Sequence, residues 1–522
     1  MLHRRRQRPF GRARSAPHRS LVTLAVAATT AAIALGGVTS PASADPAGSL
    51  AVGTAKCDGA SHPEPGIQGD VPAAQRDSGA TRTGYSCNMR RIGAYTGHGG
   101  GITSTSIGSC AYMGSLFPNS LVGPAAGVQV IDASNPARPR HSATLTAPAM
   151  LAGTWESLKA NRRSELLVGT GVPALFGAGL MAVYDVSDCA APKLLNPEVG
   201  GTAAPLPISA HEGGFSPDGR TYWASGLGPG FLSAVDLSEP SRPRVLWQGL
   251  TGLSTHGIGV SADGNRLYLA SNFGGITVWD VSAVQRRYRN PQVRRLAELT
   301  WTDGCATQHS VPVTYGGKQY LFTVDEGGSG GVKLIDVSTP TRPRIVNKLK
   351  LAINLRQNVD SATASSAGGG VFAYESHYCA ADRPANPTAL ACGWFSSGIR
   401  VVDVRDPFDV REIAYYNPPA RTGQESSLSN SPHALLSVAG VPLLSVPAVL
   451  QSLASGQFDP GQARSSRTGR VMGDLSTDWC ASPPEWRGRQ LWATCADNGF
   501  QVLELSASAY TPPPDQQSTV GS

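Results

Sequence analysis

Short stretches in which apolar and polar residues alternate, each ending in an acidic residue, recur along this chain. The phrase has Val, Ile or Leu at every second position, then Asp, and usually Ser two residues later. Six copies are spaced 44 to 67 residues apart and end at Asp132, Asp185, Asp236, Asp280, Asp336 and Asp403. A weaker seventh copy ends at Glu504. Alternation with period two predicts β-strands, and a strand repeat of this length predicts one propeller blade per copy. We therefore predict an all-β, seven-bladed β-propeller.

Each repeat divides into four predicted strands. The phrase is the third strand, and the residues after it, such as 244–247, form the outermost strand. Two inner strands lie upstream, joined in two repeats by hairpin turns at Asp218-Gly219 and Asp263-Gly264. The Asp that ends each phrase is typical of a turn in which the side chain bonds its own backbone. We interpret these Asp residues as structural and not as catalytic carboxylates.

The ends of the repeat region predict how the ring closes. No fourth strand follows the last phrase, and residues 88–96 resemble a fourth strand without a blade of its own. We predict that they complete the last blade, so that the propeller spans residues 88–507 without an exposed sheet edge. Residues 417–476 are too long for a connection and are interpreted as an insertion, with an eighth blade as the alternative. Residues 508–522 are predicted to be a disordered tail.

The repeat resembles that of a known family. The phrases Val-Ile-Asp132, Leu-Ile-Asp336 and Val-Val-Asp403 are similar to the LVIVD repeat of secreted bacterial β-propellers. The Ser-Pro-Asp218-Gly hairpin is shared more widely with YVTN-type and lactonase-like propellers. The resemblance covers about residues 88–507 and implies the fold. It implies almost nothing about activity, because propellers host many unrelated functions.

The first 44 residues have the features of an export signal. Seven Arg residues precede an apolar run over positions 21–38, and Ala42-Ser43-Ala44 offers a cleavage site. We predict a secreted, extracellular protein exported by the Sec or the twin-arginine route, with a signal peptide over 1–44 and a linker over 45–87. The mature chain has no apolar run long enough to span a membrane. Its Ala-, Gly-, Pro- and Arg-rich composition resembles that of actinobacterial proteins.

The predicted signal also carries the basic excess of the chain. The whole chain has 44 basic and 37 acidic residues, and removal of the seven signal Arg residues leaves 37 of each. A mature chain without net charge gives no reason to expect nucleic-acid binding. We expect a monomer whose partner is an extracellular protein, a peptide, a glycan or a small molecule.

All nine cysteines lie in the part of the chain that would be exported, so disulfides are expected. Cys379 and Cys392 stand 13 residues apart, and Cys480 and Cys495 stand 15 apart, each pair at the same place relative to its phrase. The spacing predicts one bridge inside each of two blades. At least one of the other five is free, metal-bound or intermolecular. These five are Cys57, Cys87, Cys110, Cys189 and Cys305.

Histidines recur in phase with the blades. Five stand at or near the start of a predicted innermost strand: His98, His211, His256, His309 and His377. The two remaining blades offer Glu156, next to Trp155, and Asp478, next to Trp479. Innermost strands line the central channel, so we expect these side chains to meet at one of its mouths. Imidazole with carboxylate suits copper, zinc or iron.

Cys305 lies four residues before His309. In a secreted protein it is a candidate copper ligand or nucleophile. A disulfide to Cys189, or an inert buried thiol, is the favoured interpretation.

Two classes of function compete. The first is a binding scaffold that holds a protein, peptide or glycan at its channel face, with Glu156, Asp478, Trp155 and Trp479 at the mouth. The second is a metal-dependent enzyme, an oxidase or a lactonase-like hydrolase, with the channel histidines as ligands. A repeated His also has a structural explanation, since it can bond the backbone of a neighbouring blade. The sequence therefore favours the scaffold narrowly and makes no cofactor certain.

Overall fold

A computed structural model describes residues 51–116, 120, 125–171, 179–197, 210–226, 230–252, 255–271, 273–328, 330–365, 373–421, 428–433 and 476–514. The described strands form seven antiparallel sheets, which are the seven blades of a β-propeller. In every blade the innermost strand comes first and the repeat phrase is the third strand, as predicted. The predicted signal peptide and most of the predicted insertion lie outside the described residues.

The strands follow one another blade by blade. Two precede the first blade: β1 (Tyr85–Cys87) and β2 (Met89–Tyr95). Blade one consists of β3 (Ser104–Ile107), β4 (Cys110–Met113), β5 (Val128–Asp132) and β6 (Arg140–Leu145). Blade two consists of β7 (Lys159–Asn161), β8 (Leu166–Gly171), β9 (Leu180–Asp185) and β10 (Lys193–Leu194). Blade three consists of β11 (Ala210–Phe215), β12 (Thr221–Gly226), β13 (Phe231–Asp236) and β14 (Arg244–Leu250).

Blades four to seven complete the ring. Blade four consists of β15 (Thr255–Val260), β16 (Arg266–Ser271), β17 (Gly275–Asp280) and β18 (Arg294–Thr300), and blade five of β19 (Cys305–Tyr315), β20 (Lys318–Gly327), β21 (Val332–Asp336) and β22 (Arg344–Leu349). Blade six consists of β23 (Cys379–Ala381), β24 (Ala389–Gly393), β25 (Ile399–Asp403) and β26 (Arg411–Asn417). Blade seven consists of β27 (Glu485–Arg487), β28 (Gln490–Cys495) and β29 (Gly499–Leu505). The described helices are short: Ala73–Ser78, Pro148–Leu151, Ser282–Gln285 and Val359–Ser365, with 3-10 turns at Ala80–Thr83, Ala352–Asn354 and Arg356–Asn358. None of the described helices is long and apolar enough to cross a bilayer.

The Asp that ends a third strand holds the turn that follows it. Oδ1 of Asp236 accepts a hydrogen bond from the N–H of Ser238 at 3.0 Å, and Oδ2 accepts one from Arg244, which begins the outermost strand. The same backbone contact recurs at Asp132, Asp185, Asp280, Asp336 and Asp403. These contacts confirm that the repeated carboxylates are structural.

The ring closes through β2. This strand pairs antiparallel with β29 along its length, from Met89 opposite Leu505 to Tyr95 opposite Phe500, and is the outermost strand of blade seven. The prediction that residues near 88–96 complete the last blade is confirmed. Strand β1 pairs with β26, so that blade six has five strands.

Apolar side chains fill the spaces between neighbouring blades. Tyr112 of blade one packs with Leu167 of blade two, and Met113 of blade one packs with Trp492 of blade seven. Because both faces of each sheet are covered in this way, third strands such as β5 are buried along their whole length. The core is thus divided among the blade interfaces, and each interface exists only if both neighbouring blades are present.

The described part of the chain contains four disulfides. Two are the predicted bridges Cys379–Cys392 and Cys480–Cys495, and the others are Cys57–Cys87 and Cys110–Cys189. Cys305 is a free, buried thiol, which excludes its disulfide with Cys189. Burial and the neighbouring Asp325 and Glu375 raise the pKa of this thiol far above its ordinary value, so it is not a ready nucleophile.

The segment between the predicted signal and the propeller lies against blade six. Glu64 and Glu412 both bind the guanidinium of Arg400, whose side chain is fully buried, at 2.5 and 3.1 Å. At the other terminus, Tyr510 is buried and donates a hydrogen bond to Asp382 at 3.0 Å. The segments that precede and follow the propeller in the chain thus both contact its sixth blade.

We expect removal of β2 to destabilise the whole ring. A chain that begins at Gly97 lacks β2, whereas a chain that begins at Asn88 retains it and lacks only the preceding segment. The first should melt well below the second, because it leaves the outer edge of β29 unpaired and uncovers the interface between blades seven and one. Thermal unfolding followed by circular dichroism measures the difference, and equal melting temperatures would contradict this account of closure.

We expect Arg400→Met to lower the free energy of unfolding by about 3–5 kcal/mol, the usual cost of removing one partner from a buried ion pair. The variant leaves Glu64 and Glu412 facing each other without their cation. Arg405→Met is the matched control on the same blade, since its ion pair with Asp403 is exposed and should contribute less than about 1 kcal/mol. Urea unfolding of the two variants compares them. Equal losses of the free energy of unfolding would show that the buried ion pair contributes no more to stability than the exposed one.

Candidate metal centre

Glu156 contacts three imidazoles at the centre of the ring. Its Oε2 lies 3.0 Å from Nε2 of His211 and 3.3 Å from Nε2 of His256, and its Oε1 lies 2.9 Å from Nε2 of His377. Glu326, at the end of β20, brings a second carboxylate: its Oε2 is 2.9 Å from Nε2 of His377. Five side chains from five blades thus form one group, which we call the Glu/His centre. All five are buried.

The backbone aims these side chains at the axis of the ring. Glu156 precedes β7, and its backbone forms a parallel bridge with Glu212 of β11. The pairing of the innermost with the second strand shifts register between Ala210 and Glu212 and again between Thr255 and Ile258. His211 and His256 are therefore residues of β-bulges. A bulge turns a side chain out of the regular alternation, which is a common device next to functional sites.

A hydrogen bond to the backbone orients the imidazole of His377. Its Nδ1 lies 2.8 Å from the carbonyl oxygen of Ala481 and donates to it, so Nε2 is the nitrogen that faces the two carboxylates. A metal-binding imidazole is typically held in this way, with one nitrogen on a backbone carbonyl and the other free for the ion. The Nδ1 atoms of His211 and His256 are buried without a hydrogen bond to the described residues.

Burial and mutual attraction set the protonation of the group. Burial by itself would raise the pKa of Glu156, but His211, His256 and His377 outweigh it and hold that pKa well below its ordinary value. Burial lowers the pKa of His377, yet Glu156 and Glu326 raise it to about 10. For His256, Glu326 and Glu156 overcome burial and raise the pKa to about 9. The buried carboxylates of Glu156 and Glu326 therefore favour positive charge beside them, carried either by protonated imidazoles or by a bound cation.

His309 lies beside the Glu/His centre and not in it. In blade five the register shift falls between Thr307 and His309, so the bulge residue is Gln308. Its Nε2 donates to Glu156 at 3.0 Å and to Glu212 at 3.3 Å. His309, one residue further along the strand, instead places Nδ1 at 3.3 Å from Glu212. An amide thus stands in blade five where blades three and four have an imidazole.

Asp478 belongs to a second buried group with His433 and Asp497. Its carboxylate accepts hydrogen bonds from the backbone N–H groups of Trp479, Asp497 and Asn498, which makes it the anchor of a turn in blade seven. His433 binds Asp497 through Nδ1 at 2.5 Å. This group is separate from the Glu/His centre.

Of the other predicted site residues, each Trp lies beside one of the two groups, and His98 lies in neither. The ring of Trp155 lies 5.7 Å from that of His211, and the ring of Trp479 lies 4.6 Å from that of His433. His98 bonds through its backbone to Gln129 and Asn430. The structure thus brings together His211, His256, His377 and Glu156, and places His98, His309, Asp478 and Trp479 elsewhere.

Glu326, Gln308 and Glu212 were not among the site residues predicted from the sequence. Glu212 follows His211 directly, and Gln308 precedes His309, so both lay within the pattern of strand starts. Glu326 stands at the end of a second strand, where the sequence offers no repeated signal. Its role is visible only because strands β19 and β20 are longer than their counterparts and carry it to the axis.

No family model matches this sequence, and no curated protein matches it. Among solved structures, the chain is similar to a functionally unknown protein from Desulfotomaculum acetoxidans, with 12% identity and a TM-score of 0.40, over 61% of this chain and 89% of that one. It is also similar to the periplasmic gluconolactonase of Pseudomonas aeruginosa, with 14% identity and a TM-score of 0.41, over 58% and 81% of the two chains. Similarities at this level carry no argument about activity, and the fold rests on the seven sheets themselves.

Proposed function

We propose that the Glu/His centre binds one divalent transition-metal ion and that the protein is a metal-dependent hydrolase. The observation that carries the proposal is the contact of Glu156 with three imidazole nitrogens from three other blades. These residues come from separate blades and meet only because each blade directs its side chain at the axis of the ring. Buried ionisable side chains are retained where they are paired or bind a metal, and imidazole with carboxylate is a donor set that suits a transition-metal ion.

The spacing of the donor atoms fits a single ion. Ligands bonded at 2.0–2.1 Å in tetrahedral geometry lie roughly 3.3 Å apart. The three contacts of Glu156 with imidazole nitrogens measure 2.9 to 3.3 Å. Glu156, His211 and His256 have ligand atoms within 4.8 Å of one another, and so do Glu156, Glu326 and His377. The ligand atoms of each trio are therefore close enough to surround one ion, and Glu156 belongs to both trios.

The chemistry of the donors narrows the choice of metal. Imidazole and carboxylate suit zinc, iron and manganese, whereas a copper(I) site usually includes soft sulfur ligands. The free thiol of Cys305 is not among the donors: it is buried in blade five at the start of β19. We therefore favour zinc, or iron(II) or manganese(II), over copper(I).

A divalent ion bound here would act as a Lewis acid and lower the pKa of a bound water. The protein's own residues would do the rest. His377, fixed by the Ala481 carbonyl, would hold the ion in place. Glu326, the most exposed side chain of the group at 10%, is placed to accept a proton from a water molecule. With a proton acceptor beside the ion, we propose hydrolysis of an ester or lactone as the reaction.

We also propose that the protein works outside the cytosol. Four disulfides connect parts of the described chain, two of them within single blades. Such bridges persist in oxidising compartments and are rare where thiols are kept reduced. The proposal agrees with the export signal predicted from the first 44 residues.

We expect the purified protein to contain about one equivalent of transition metal per chain, measured by elemental analysis after dialysis. The double variant His211→Ala/His256→Ala should retain less than about a tenth of that metal, because two of the three imidazoles are gone. His141→Ala, which removes an exposed histidine from the outermost strand of blade one, should bind metal like the unchanged protein.

Circular dichroism and melting temperature confirm that each variant is folded. A folded, unchanged protein that takes up no metal from buffers with zinc, iron(II) or manganese(II) would contradict the proposal and leave the binding-scaffold hypothesis standing. Metal uptake without hydrolysis of any ester or lactone in a substrate panel would contradict the hydrolase assignment alone.

A further inference from the structure

A cavity of about 460 Å³ occupies the channel beyond the Glu/His centre. On blade three the chain runs from His211 in the centre to Phe215 in the cavity wall, and on blade four from His256 to Val260. The cavity therefore extends from the Glu/His centre toward the opposite mouth of the channel. Its volume lies within the range of sites that bind small molecules.

The wall of the cavity is largely apolar. Phe215, Ile258, Val260, Val311 and Pro312 line it from three consecutive blades. Gly214 lies between them, and a Cβ at this position would meet its nearest neighbour, Ile258, only at ordinary contact distance. The wall thus presents an apolar surface to a ligand, and a larger side chain at position 214 would have room to extend along it.

One end of the cavity is polar. Lys159, His309 and Tyr378 meet there: Lys159 Nζ lies 4.9 Å above the ring of Tyr378, whose centroid is 4.9 Å from that of His309. The hydroxyl of Tyr378 is buried at this end and lies near Gln308 and Glu212. This end adjoins the Glu/His centre, because Gln308 donates to Glu156 and also to Glu212 beside His309.

At this end the nitrogen-bearing side chains are more exposed to the cavity than the carboxylate behind them. The side chains of Lys159 and His309 are each 19% exposed, whereas the carboxylate of Glu212, 3.8 Å and 3.3 Å from their nitrogens, is fully buried behind them. The other carboxylate of the wall, Glu485, accepts hydrogen bonds from the N–H and hydroxyl of Ser106. At this end of the cavity a ligand therefore meets an amine and an imidazole, and Arg383 is a further cation of the wall.

We propose that this cavity binds a small amphiphilic carboxylate, with its anionic head on Lys159 and His309 and its apolar body along Phe215, Ile258 and Val311. The carboxylate is held by the charge of Lys159, and the apolar body is removed from water by the walls. The proposal does not depend on a bound metal, since none of the residues that carry it belongs to the Glu/His centre.

The test uses three probes of equal chain length: octanoate, octan-1-ol and octylammonium. Isothermal titration of the full mature chain should give octanoate at least a tenfold lower Kd than octan-1-ol, with octylammonium the weakest. Lys159→Met should weaken octanoate at least tenfold and leave octan-1-ol unchanged. Lys193→Met is the matched control, an exposed lysine on the outermost strand of the same blade, and should change neither.

A second variant tests the walls. Gly214→Leu should fill the cavity and weaken octanoate and octan-1-ol alike, in a protein whose circular dichroism and melting temperature are retained. Octanoate binding should also persist in His211→Ala/His256→Ala, which separates this site from the proposed metal site. Equal affinity for octanoate and octan-1-ol, an unchanged preference in Lys159→Met, or no octanoate binding at millimolar concentration would each overturn the proposal.

Discussion

Closure of the ring is the constraint on which the rest of this structure depends. Each blade covers its faces with its neighbours, and the last interface exists only because β2 returns from the beginning of the propeller to pair with β29. Once the ring is closed, seven innermost strands surround one axis. Residues as far apart in the chain as Glu156 and His377 then come into direct contact. The site is therefore a property of the ring and not of any single blade.

The same closure buries charge, and the structure deals with that burial by pairing. Glu156 and Glu326 face three imidazoles at the axis, and Glu64 and Glu412 face Arg400 at the edge of blade six. A buried charge without a partner would destabilise the fold by several kcal/mol, so a single substitution in either group should strongly lower the free energy of unfolding. At the edge the pairing fastens the N-terminal segment. At the axis it gathers donors that suit a metal ion.

Departures from the repeat create the chemistry. The turn Asp is kept in blade after blade because every blade needs the same turn, and it carries no function beyond that. The axis differs, since the bulge residue is His211 in blade three and Gln308 in blade five. The resulting channel is unlike at its two ends. One holds the buried Glu/His centre, and the other opens into a cavity with apolar walls and a lysine at its inner end.

The sequence alone determined the fold, because strand alternation and a repeat of fixed phase are local signals that a single chain displays openly. It also identified the closing strand and two disulfides, and it named four of the five members of the Glu/His centre: Glu156, His211, His256 and His377. Only the tertiary structure decided which of the predicted residues meet. A one-residue difference in where a bulge falls moved His309 away from the axis and put Gln308 there, and no periodicity in the sequence marks that difference. Glu326 joined the centre from a second strand, and Asp478 became the anchor of a turn, because side-chain direction at the axis depends on strand length and register and not on position in the repeat.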